Sequence, residues 1–327
     1  MTRLNLCGVA AFAALGLAGT AAAQQAAPAP ATPAPPAAWA DTLKFTGQIE
    51  AGITLNPDTP DDRRNFGHLF TDRANQPVLN QFLLTAQRPL DPKATGWDYG
   101  FKAQFMYGND ARITHFMGEL DHTINAPYQI DIVEANVMVH VPGVGDGGTD
   151  LKIGQYPTPI GYEVIDASGN PLYSHSYIFN FGIPLKHTGG FATAHLTSTL
   201  DLWAGVDTGV NTSLFNGDNN GSLAGLAGLG LNLMDGNLTI LALSHFGPEN
   251  PSNAGVTGWR YENDAVITWK INEKLTSVTE LNYIYDAGFQ AGGGGVAQYL
   301  TYAIDDNWSV TGRGEVWNDS KGFYVAK

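Results

Sequence analysis

Two serine–histidine pairs, Ser174-His175 and Ser244-His245, carry the residue types that nucleophilic catalysis needs. A histidine that removes the serine proton would give a hydrolase of the lipase or protease class. The Gly-x-Ser-x-Gly sequence that often presents such a serine does not occur in the chain. If Ser244 and His245 lie on a strand, their side chains point to opposite faces. A hydrolase therefore stays open as an alternative function, and no catalytic residue is assigned.

Residue types that bind metal ions are also present, but their spacing matches no familiar site. His115, His122 and His245 show no paired spacing for zinc and are predicted to be loop or wall residues. Two patches could offer oxygen ligands to calcium, namely Asp58 with Asp61 and Asp62, and Asp218 with Asn219 and Asn220. Neither has the spacing of a calcium-binding loop, so both are predicted to be solvated loop tips. No metal and no cofactor is expected.

The charge of the chain excludes nucleic acid as a partner. The sequence has 31 Asp and Glu against 17 Lys and Arg, and no basic stripe that could neutralise phosphates. The glycine run Gly292-Gly293-Gly294-Gly295 is not followed by Lys-Ser/Thr, so it does not predict a phosphate-binding loop. It is interpreted instead as a mobile loop tip.

The first 23 residues have the organisation of a cleaved secretory signal. Arg3 is followed by a largely apolar stretch from residue 4 to residue 17, and small residues at 21–23 precede Gln24. The apolar stretch is shorter than the roughly 20 residues that cross a bilayer as a helix. Cys7, the only cysteine, precedes most of that stretch, so the mature protein would contain no thiol and no disulfide.

Residues 24–40 are almost wholly Ala, Pro, Gln and Thr. Such a composition buries too little apolar surface to offset the entropy of ordering the chain. These residues are predicted to form a periplasmic linker, with a polyproline ligand as the alternative.

From residue 41 onward the chain alternates apolar and polar residues with the period of a β-strand. The pattern is clearest over residues 43–55, 97–107 and 259–270, where apolar or aromatic side chains occupy every second position. Segments of about ten residues with aromatic residues at their ends are typical of transmembrane β-barrels, although a soluble β-sandwich also alternates. A bilayer tolerates strands only as a closed barrel.

Connection lengths support the same fold, because outer-membrane barrels alternate short periplasmic turns with longer extracellular loops. Strands are predicted near 43–55, 78–88, 97–107, 128–141, 151–156, 189–197, 200–207, 222–233, 238–246, 259–270, 275–285, 296–304 and 308–317, and another begins at 322–325. The predicted fold is thus all-β, an antiparallel transmembrane β-barrel over residues 41–327. The full protein is expected to have roughly 14–18 strands, with its C-terminal strands missing here.

The polar face of these strands would line the barrel. Its charged members and one histidine are Lys44, Glu50, Asp98, Lys102, Glu134, His140, Lys152, Asp201, Arg260, Glu262, Asp264, Lys270, Glu280, Arg313 and Glu315. A barrel of this strand number cannot fill its interior with wall side chains, so water occupies it unless a loop enters. The acidic excess predicts a weak preference for cations, unless most of the negative charge lies on external loops.

Three segments resemble the OmpL-like family of β-barrel porins in the outer membrane. They are Asn80-Gln81, the run from Lys152 to Glu163, and the stretch from Tyr173 to Gly189 that contains Tyr-Ser-His-Ser-Tyr and Phe-Asn-Phe-Gly-Ile-Pro. The resemblance covers most of the mature chain. It implies a porin-like barrel in the outer membrane of a Gram-negative bacterium, and it carries over neither a substrate nor catalytic residues.

Residues 157–188 form the third long connection, which in many general porins folds inward and narrows the channel. By that analogy Glu163 would face Lys186 or His187 across a constriction; the alternative is an external loop packed on the rim. The full set of pore-lining and constriction candidates is Lys102, Glu134, Lys152, Tyr162, Glu163, His175, Lys186, His187, Arg260, Glu262, Asp264 and Arg313. The expected function is passive diffusion of small hydrophilic solutes or ions. The expected partners are outer-membrane lipids, those solutes and further copies of the chain, while a plugged structural barrel stays open as an alternative.

Overall fold

The structure is a computed structural model that describes residues 39–120, 123–124, 127–214 and 217–325. The predicted signal peptide, the linker up to residue 38 and His122 lie outside these residues. The strands are β1 (Lys44–Ile53), β2 (Pro77–Arg88), β3 (Asp98–Gly108), β4 (Gln129–Val141), β5 (Thr149–Pro157), β6 (Lys186–His195), β7 (Leu200–Asp207), β8 (Ala224–Leu233), β9 (Leu238–Pro248), β10 (Trp259–Lys270), β11 (Leu275–Asp286), β12 (Ala291–Ala303) and β13 (Ser309–Asp319). The helical elements of the described residues include α1 (Ala111–Thr114), 3₁₀ turns at Trp39–Thr42, Ala167–Gly169 and Met234–Gly236, and a π turn at Ile178–Gly182.

The strands form a single antiparallel sheet in which each strand pairs with its neighbours in sequence. The thirteen strands overlap the thirteen predicted segments, so the all-β antiparallel fold is confirmed. Within the described residues, β1 and β13 each pair on one side only and form the two edges of the sheet.

The outer face of the sheet is apolar and the inner face is polar. In β10 the aromatic residues Trp259 and Tyr261 are exposed, whereas Glu262 and Asp264 are buried. Phe45 on β1 and Val316 on β13 are each 75% exposed. A soluble sandwich would bury the apolar side chains and expose the charged ones, so the arrangement is that of a membrane barrel wall.

The two ends of the sheet differ in the length of their connections. One end has short turns, such as 234–237 between β8 and β9 and 271–274 between β10 and β11. Asp235 adopts φ 53° and Gly236 φ 85° in the first of these, as tight hairpin turns require. The other end has the long loops 54–76, 109–128, 158–185 and 208–223. It is called the long-loop end below.

Two predictions near the C-terminus are wrong. Residues 292–295 lie inside β12 rather than in a loop tip, and only residues 287–290 connect β11 to β12. A Cβ atom on Gly295 would lie 2.6 Å from the Val316 carbonyl and 3.0 Å from the Trp317 ring, so glycine allows the close approach of β13 here. Residues 322–325 form a turn and not a strand, because the Asp319 carboxylate accepts hydrogen bonds from the backbone N–H groups of residues 323–325.

Residues near both edges of the sheet contact the same loop, which shows that the sheet is strongly curled. Gln81 on β2 and Arg313 on β13 each hydrogen-bond to residues between β5 and β6. The space inside the curl contains a buried cluster that includes Phe70, Ile160, Phe179 and Tyr299. None of the helices in the described residues has the length and apolar character of a membrane span.

Candidate functional site

Residues 158–185, here called the inward loop, fold against the inner face of the sheet. On one side the loop is fixed to β2 and β3. Gln81 Nε2 donates to the Ile165 carbonyl at 2.7 Å, and Gln104 Nε2 donates to Asp166 Oδ2 at 3.0 Å. The Tyr173 hydroxyl donates to Asn80 Oδ1 at 2.9 Å. The inward position was one of two alternatives open from the sequence, and the structure favours it over an external loop packed on the rim.

A β-bulge explains why the neighbouring residues Asn80 and Gln81 both hold the loop. The register between β1 and β2 shifts after Glu50, which pairs with Gln81, whereas Ala51 pairs with Leu79. Asn80 is therefore the extra residue of the bulge, and both amide side chains are buried on the inner face. The Asn80-Gln81 pair that resembles the porin family is thus an anchor for the inward loop.

On the opposite side the inward loop is fixed to β11, β12 and β13. Glu280 accepts a hydrogen bond from the Tyr162 backbone N–H at 3.0 Å, and Asn282 Nδ2 donates to the Gly182 carbonyl at 3.1 Å. Glu315 accepts from the Tyr177 backbone N–H at 2.7 Å. The loop therefore bridges the interior from one wall to the other.

Glu163 is the centre of this second attachment. Its Oε2 faces His175 Nδ1 at 2.8 Å and accepts from the Ser176 backbone N–H, while its Oε1 accepts from the Tyr299 hydroxyl at 2.8 Å and from Arg313 Nη1 at 2.9 Å. Each carboxylate oxygen thus has two polar partners, and this compensates for the burial of a residue that is only 3% exposed. The prediction that Glu163 faces Lys186 or His187 is wrong, because Arg313 and His175 occupy that position.

The charge state of Glu163 gives the attachment a pH dependence. Burial alone would raise the pKa of Glu163, but the His175 hydrogen bond and the charges of His175 and Arg313 hold it below the ordinary value of 4.5. Because the pKa of Glu163 is lower in the folded protein than in the unfolded chain, the ionised carboxylate stabilises the fold, and this stabilisation is complete above pH 4.5. It is lost as the pH falls through the lower pKa of the folded protein. The loop should therefore stay attached at neutral pH and loosen in acid.

This pH dependence can be measured against a Glu163→Gln variant, which cannot titrate at this position. The thermal stability of both proteins would be followed from pH 3 to pH 7 in the same detergent. We expect the unmodified protein to be more stable than the variant by a constant amount above about pH 5, and we expect this difference in stability to shrink below that pH. A difference that grew on acidification would contradict the assigned pairing.

Lys186 and His187 belong to β6 and face other acidic residues. The Lys186 ammonium lies 2.6 Å from Asp131 Oδ1, donates to the Ile132 carbonyl at 2.9 Å and stands 4.2 Å from the centre of the Phe116 ring. His187 Nδ1 lies 3.3 Å from Asp207 Oδ2. Both side chains are completely buried, so they hold the root of the inward loop rather than line a pore.

Sequence reasoning missed Asp131 because of a second bulge. The register between β3 and β4 shifts so that Gln104 pairs with Glu134 and Phe105 with Ile132. Val133 is the extra residue, and Asp131 and Glu134 both become buried on the inner face. Strict alternation places an odd and an even position on opposite faces, so no periodic pattern could select both.

A second charged group lies on β3, β4 and β5. Glu134 stands between two lysines, with Lys102 Nζ at 2.8 Å and Lys152 Nζ at 3.3 Å. Lys102 also borders a cavity of about 280 Å³ between the inward loop and the first three strands. The lining is mostly polar and comprises Thr46, Gly47, Gln48, Leu83, Thr85, Gln87, Lys102, Gln104, Asp166 and Ser168.

The remaining predicted residues follow one another along the inner face of β10. Arg260 pairs with Asp286 at 3.0 Å, Glu262 lies 3.4 Å from His245 Nδ1, and Asp264 accepts from Asn282 Nδ2 at 3.0 Å. These three residues are separate from the attachment of the inward loop at Glu163. The twelve candidates therefore divide among several groups along the inner wall.

The serine–histidine pairs do not form a catalytic arrangement. Ser244 bonds to Asn263 through its hydroxyl, whereas His245 is buried on the opposite face, as the alternation predicted. Ser174 Oγ accepts from Arg313 Nη2 at 3.1 Å, while the His175 ring faces Glu163. The side chains of both pairs are thus committed to other partners.

Comparison with known proteins identifies the family. The family described as putative beta-barrel porin-2, OmpL-like, matches residues 42–327. The chain belongs to this family. The resemblance recognised in Asn80-Gln81 and in the segments around the inward loop is thereby confirmed. No curated protein matches this OmpL-like chain by sequence.

The solved structures similar to this chain include an outer membrane channel, a porin and an outer membrane protein. The outer membrane channel DcaP of Acinetobacter baumannii has a TM-score of 0.53 at 12% identity, over 86% of this chain and 81% of its own. An anion-selective porin from Comamonas acidovorans gives 0.40 at 9%, over 85% and 99%. OmpT of Vibrio cholerae, in its trimer form, gives 0.40 at 9%, over 85% and 89%. The first of these likenesses supports the barrel fold of this OmpL-like protein.

Proposed function

We propose that this protein is an outer-membrane channel for passive diffusion of small hydrophilic solutes, narrowed by the inward loop. The observation that carries the proposal is a polar inner face bridged by one loop that is bonded to β2 and β3 on one side and to β11, β12 and β13 on the other. A barrel wall of this kind encloses more space than its own side chains fill. The loop occupies the middle of that space and would set the width of the passage.

The polar cavity beside the loop is where solutes would pass. It combines amide and hydroxyl side chains with the ammonium of Lys102 and the carboxylate of Asp166. Such groups replace the hydration of a small polar solute without binding it tightly, as conduction requires. This composition suits a broad range of hydrophilic solutes.

A weak preference for cations belongs to the same proposal. Carboxylates outnumber lysines and arginines on the inner side. The buried carboxylates include Asp110, Asp131, Glu134, Glu163, Asp207, Glu249, Glu262, Asp264, Glu280 and Asp286. The basic residues on the same side, most of them paired with one of these acids, include Arg88, Lys102, Lys152, Lys186, Arg260 and Arg313. An acidic interior between low-dielectric walls raises the local concentration of cations.

The dense bonding of the inward loop supports one rival function, a structural barrel whose lumen the loop closes. Glu163, Ser176 and Phe179 are each at most 3% exposed, so part of the loop is packed as a protein core. The two functions differ in conductance alone.

Single-channel recording separates these functions. The purified full-length protein would be inserted into a planar bilayer under a salt gradient. We expect steady ohmic steps and a reversal potential on the cation side, because the interior carries an acidic excess. A folded, heat-modifiable barrel that gave no steps would reject the open channel in favour of the closed barrel.

A further inference from the structure

We propose that His187, Asp207 and His245 form a binding site for a divalent transition-metal ion such as Zn²⁺. Their ligand atoms all lie within 4.8 Å of one another. The three residues come from β6, β7 and β9 and meet at the long-loop end of the sheet. Two imidazoles and a carboxylate are a common ligand set for zinc, with a fourth position left for water or a solute.

The sheet brings these residues together across an intervening strand. Asp207 pairs with Ala224 on β8, and His245 pairs with Leu226 on the same strand. Strands two apart in a sheet are separated by roughly 9–10 Å, so the two side chains must lean towards each other over β8. The small side chain of Ala224 leaves room for this on the concave face.

The distances inside the group suit a metal ion. His187 Nδ1 lies 3.3 Å from Asp207 Oδ2, and His245 Nε2 lies 3.0 Å from Asp207 Oδ1. Donor atoms of a tetrahedral zinc site are roughly 3–3.5 Å apart, given metal–ligand bonds of about 2.0–2.2 Å. Asp207 Oδ1 also accepts from the Gly209 backbone N–H at 2.8 Å, which leaves Oδ2 for coordination.

Unpartnered buried atoms point to a missing ligand at the same place. His187 Nδ1 and Asp207 Oδ2 are both buried without a hydrogen-bond partner. Leaving such atoms unsatisfied is costly in free energy, more so for a charged group. A cation between His187 and Asp207 would satisfy both atoms at once.

The outer nitrogen atom of each histidine lies near an oxygen atom, and that of His187 is hydrogen-bonded to Thr158. His187 Nε2 lies 3.0 Å from the Thr158 hydroxyl, and His245 Nδ1 lies 3.4 Å from Glu262 Oε2. Metal ligands of this kind normally donate their second N–H to a carboxylate or another acceptor, which fixes the ring and its tautomer. In that arrangement His187 Nδ1 and His245 Nε2 present their lone pairs to the metal.

Sequence spacing gave no sign of this site, because its ligands lie on three strands and are separated by 20 residues or more. The alternative occupant is a proton. His245 has a carboxylate on each side, Asp207 and Glu262, so an imidazolium without any metal would also fit. The two occupants differ in their response to chelation and to zinc.

Zinc titration of the purified, folded full chain in detergent tests the site. After treatment with a chelator and its removal, we expect one Zn²⁺ to bind per chain in a calorimetric titration. Co²⁺ bound at the same place should show the visible absorption of a tetrahedral ion. His187→Gln and His245→Gln should each abolish this binding, and Thr158→Val should weaken it by about 10–100-fold while leaving the ligands in place.

His195→Gln is the matched control. His195 is the last residue of the same strand, β6, and faces Asp201 at 2.8 Å and Asp150 at 3.5 Å near the short turns. This variant should retain full zinc binding. The proposal is overturned if the unmodified protein binds no zinc, if zinc binding survives in both His187→Gln and His245→Gln, or if it is lost in His195→Gln. Heat-modifiability in gels would confirm that each variant is folded. If a ligand variant fails to fold, the expected weakening of zinc binding by about 10–100-fold in Thr158→Val tests the site instead.

Discussion

Replacing Arg313 with methionine is expected to lower the free energy of unfolding by about 3–5 kcal/mol, the range measured when a buried ion pair loses one partner. The Arg313 side chain is 10% exposed and that of Glu163 is 2% exposed. Arg313 donates to Glu163, to the Ser174 carbonyl and hydroxyl, and to the His175 carbonyl. The substitution would leave all of these acceptors short of a donor inside the barrel.

The same substitution should change the channel as well as the fold. The inward loop would keep its bonds to β2 and β3 but lose its main attachment to β13, so we expect a larger and noisier single-channel conductance. Denaturant unfolding in lipid vesicles would give the stability change, and bilayer recording would give the conductance. A second substitution, Glu163→Gln in the Arg313→Met background, should recover part of the lost stability because it removes the uncompensated charge.

Lys102→Met provides the comparison for Arg313→Met. Lys102 is also an inner basic residue in an ion pair, but its side chain is 26% exposed, and Glu134 would keep Lys152 as a partner at 3.3 Å. Pairs that are open to solvent contribute about 0–1 kcal/mol. Equal losses of stability in the two variants would show that the inward loop does not depend on Arg313.

The strands could be predicted from the sequence because lipid and lumen impose opposite demands on alternate residues. Each strand of the wall repeats that contrast, as β10 does with Trp259 and Tyr261 outside and Glu262 and Asp264 inside. The pattern fails where the backbone departs from strict alternation. At the bulges of Asn80 and Val133, residues at odd and at even positions both point inward. The four glycines of β12 were mistaken for a loop because they carry no side chain to alternate.

The partners of the charged residues could not be predicted in the same way. Glu163 and Arg313 are 150 residues apart, and their contact depends on the path of the inward loop through the curled sheet. Alternation selects which residues face inward, but many acids and bases share that face. Which of them meet is decided by the curvature of the sheet and by the loop, and neither leaves a periodic signal in the sequence.

Lys186→Met is expected to reduce stability by a similar amount, about 3–5 kcal/mol, and to leave ion selectivity nearly unchanged. The Lys186 side chain is 0% exposed and that of its partner Asp131 is 1% exposed. The substitution would leave the Asp131 carboxylate buried with the Thr114 hydroxyl, which donates to it at 2.7 Å, but without a counter-charge. A lysine that lined the constriction would instead shift the reversal potential when replaced, with little loss of stability.

A double substitution separates the charge effect from simple loss of packing. Asp131→Asn keeps an acceptor for Thr114 and removes the charge, so the pair Lys186→Met with Asp131→Asn should be clearly more stable than Lys186→Met alone. Lys152→Met is the control for selectivity, because its ammonium is close to Glu134 but its side chain is 27% exposed towards the interior. Lys152→Met should move the reversal potential towards cations with a stability change of about 1 kcal/mol or less. If Lys186→Met behaved like Lys152→Met, the root of the inward loop would be part of the conducting path, contrary to its burial against Asp131 and Phe116.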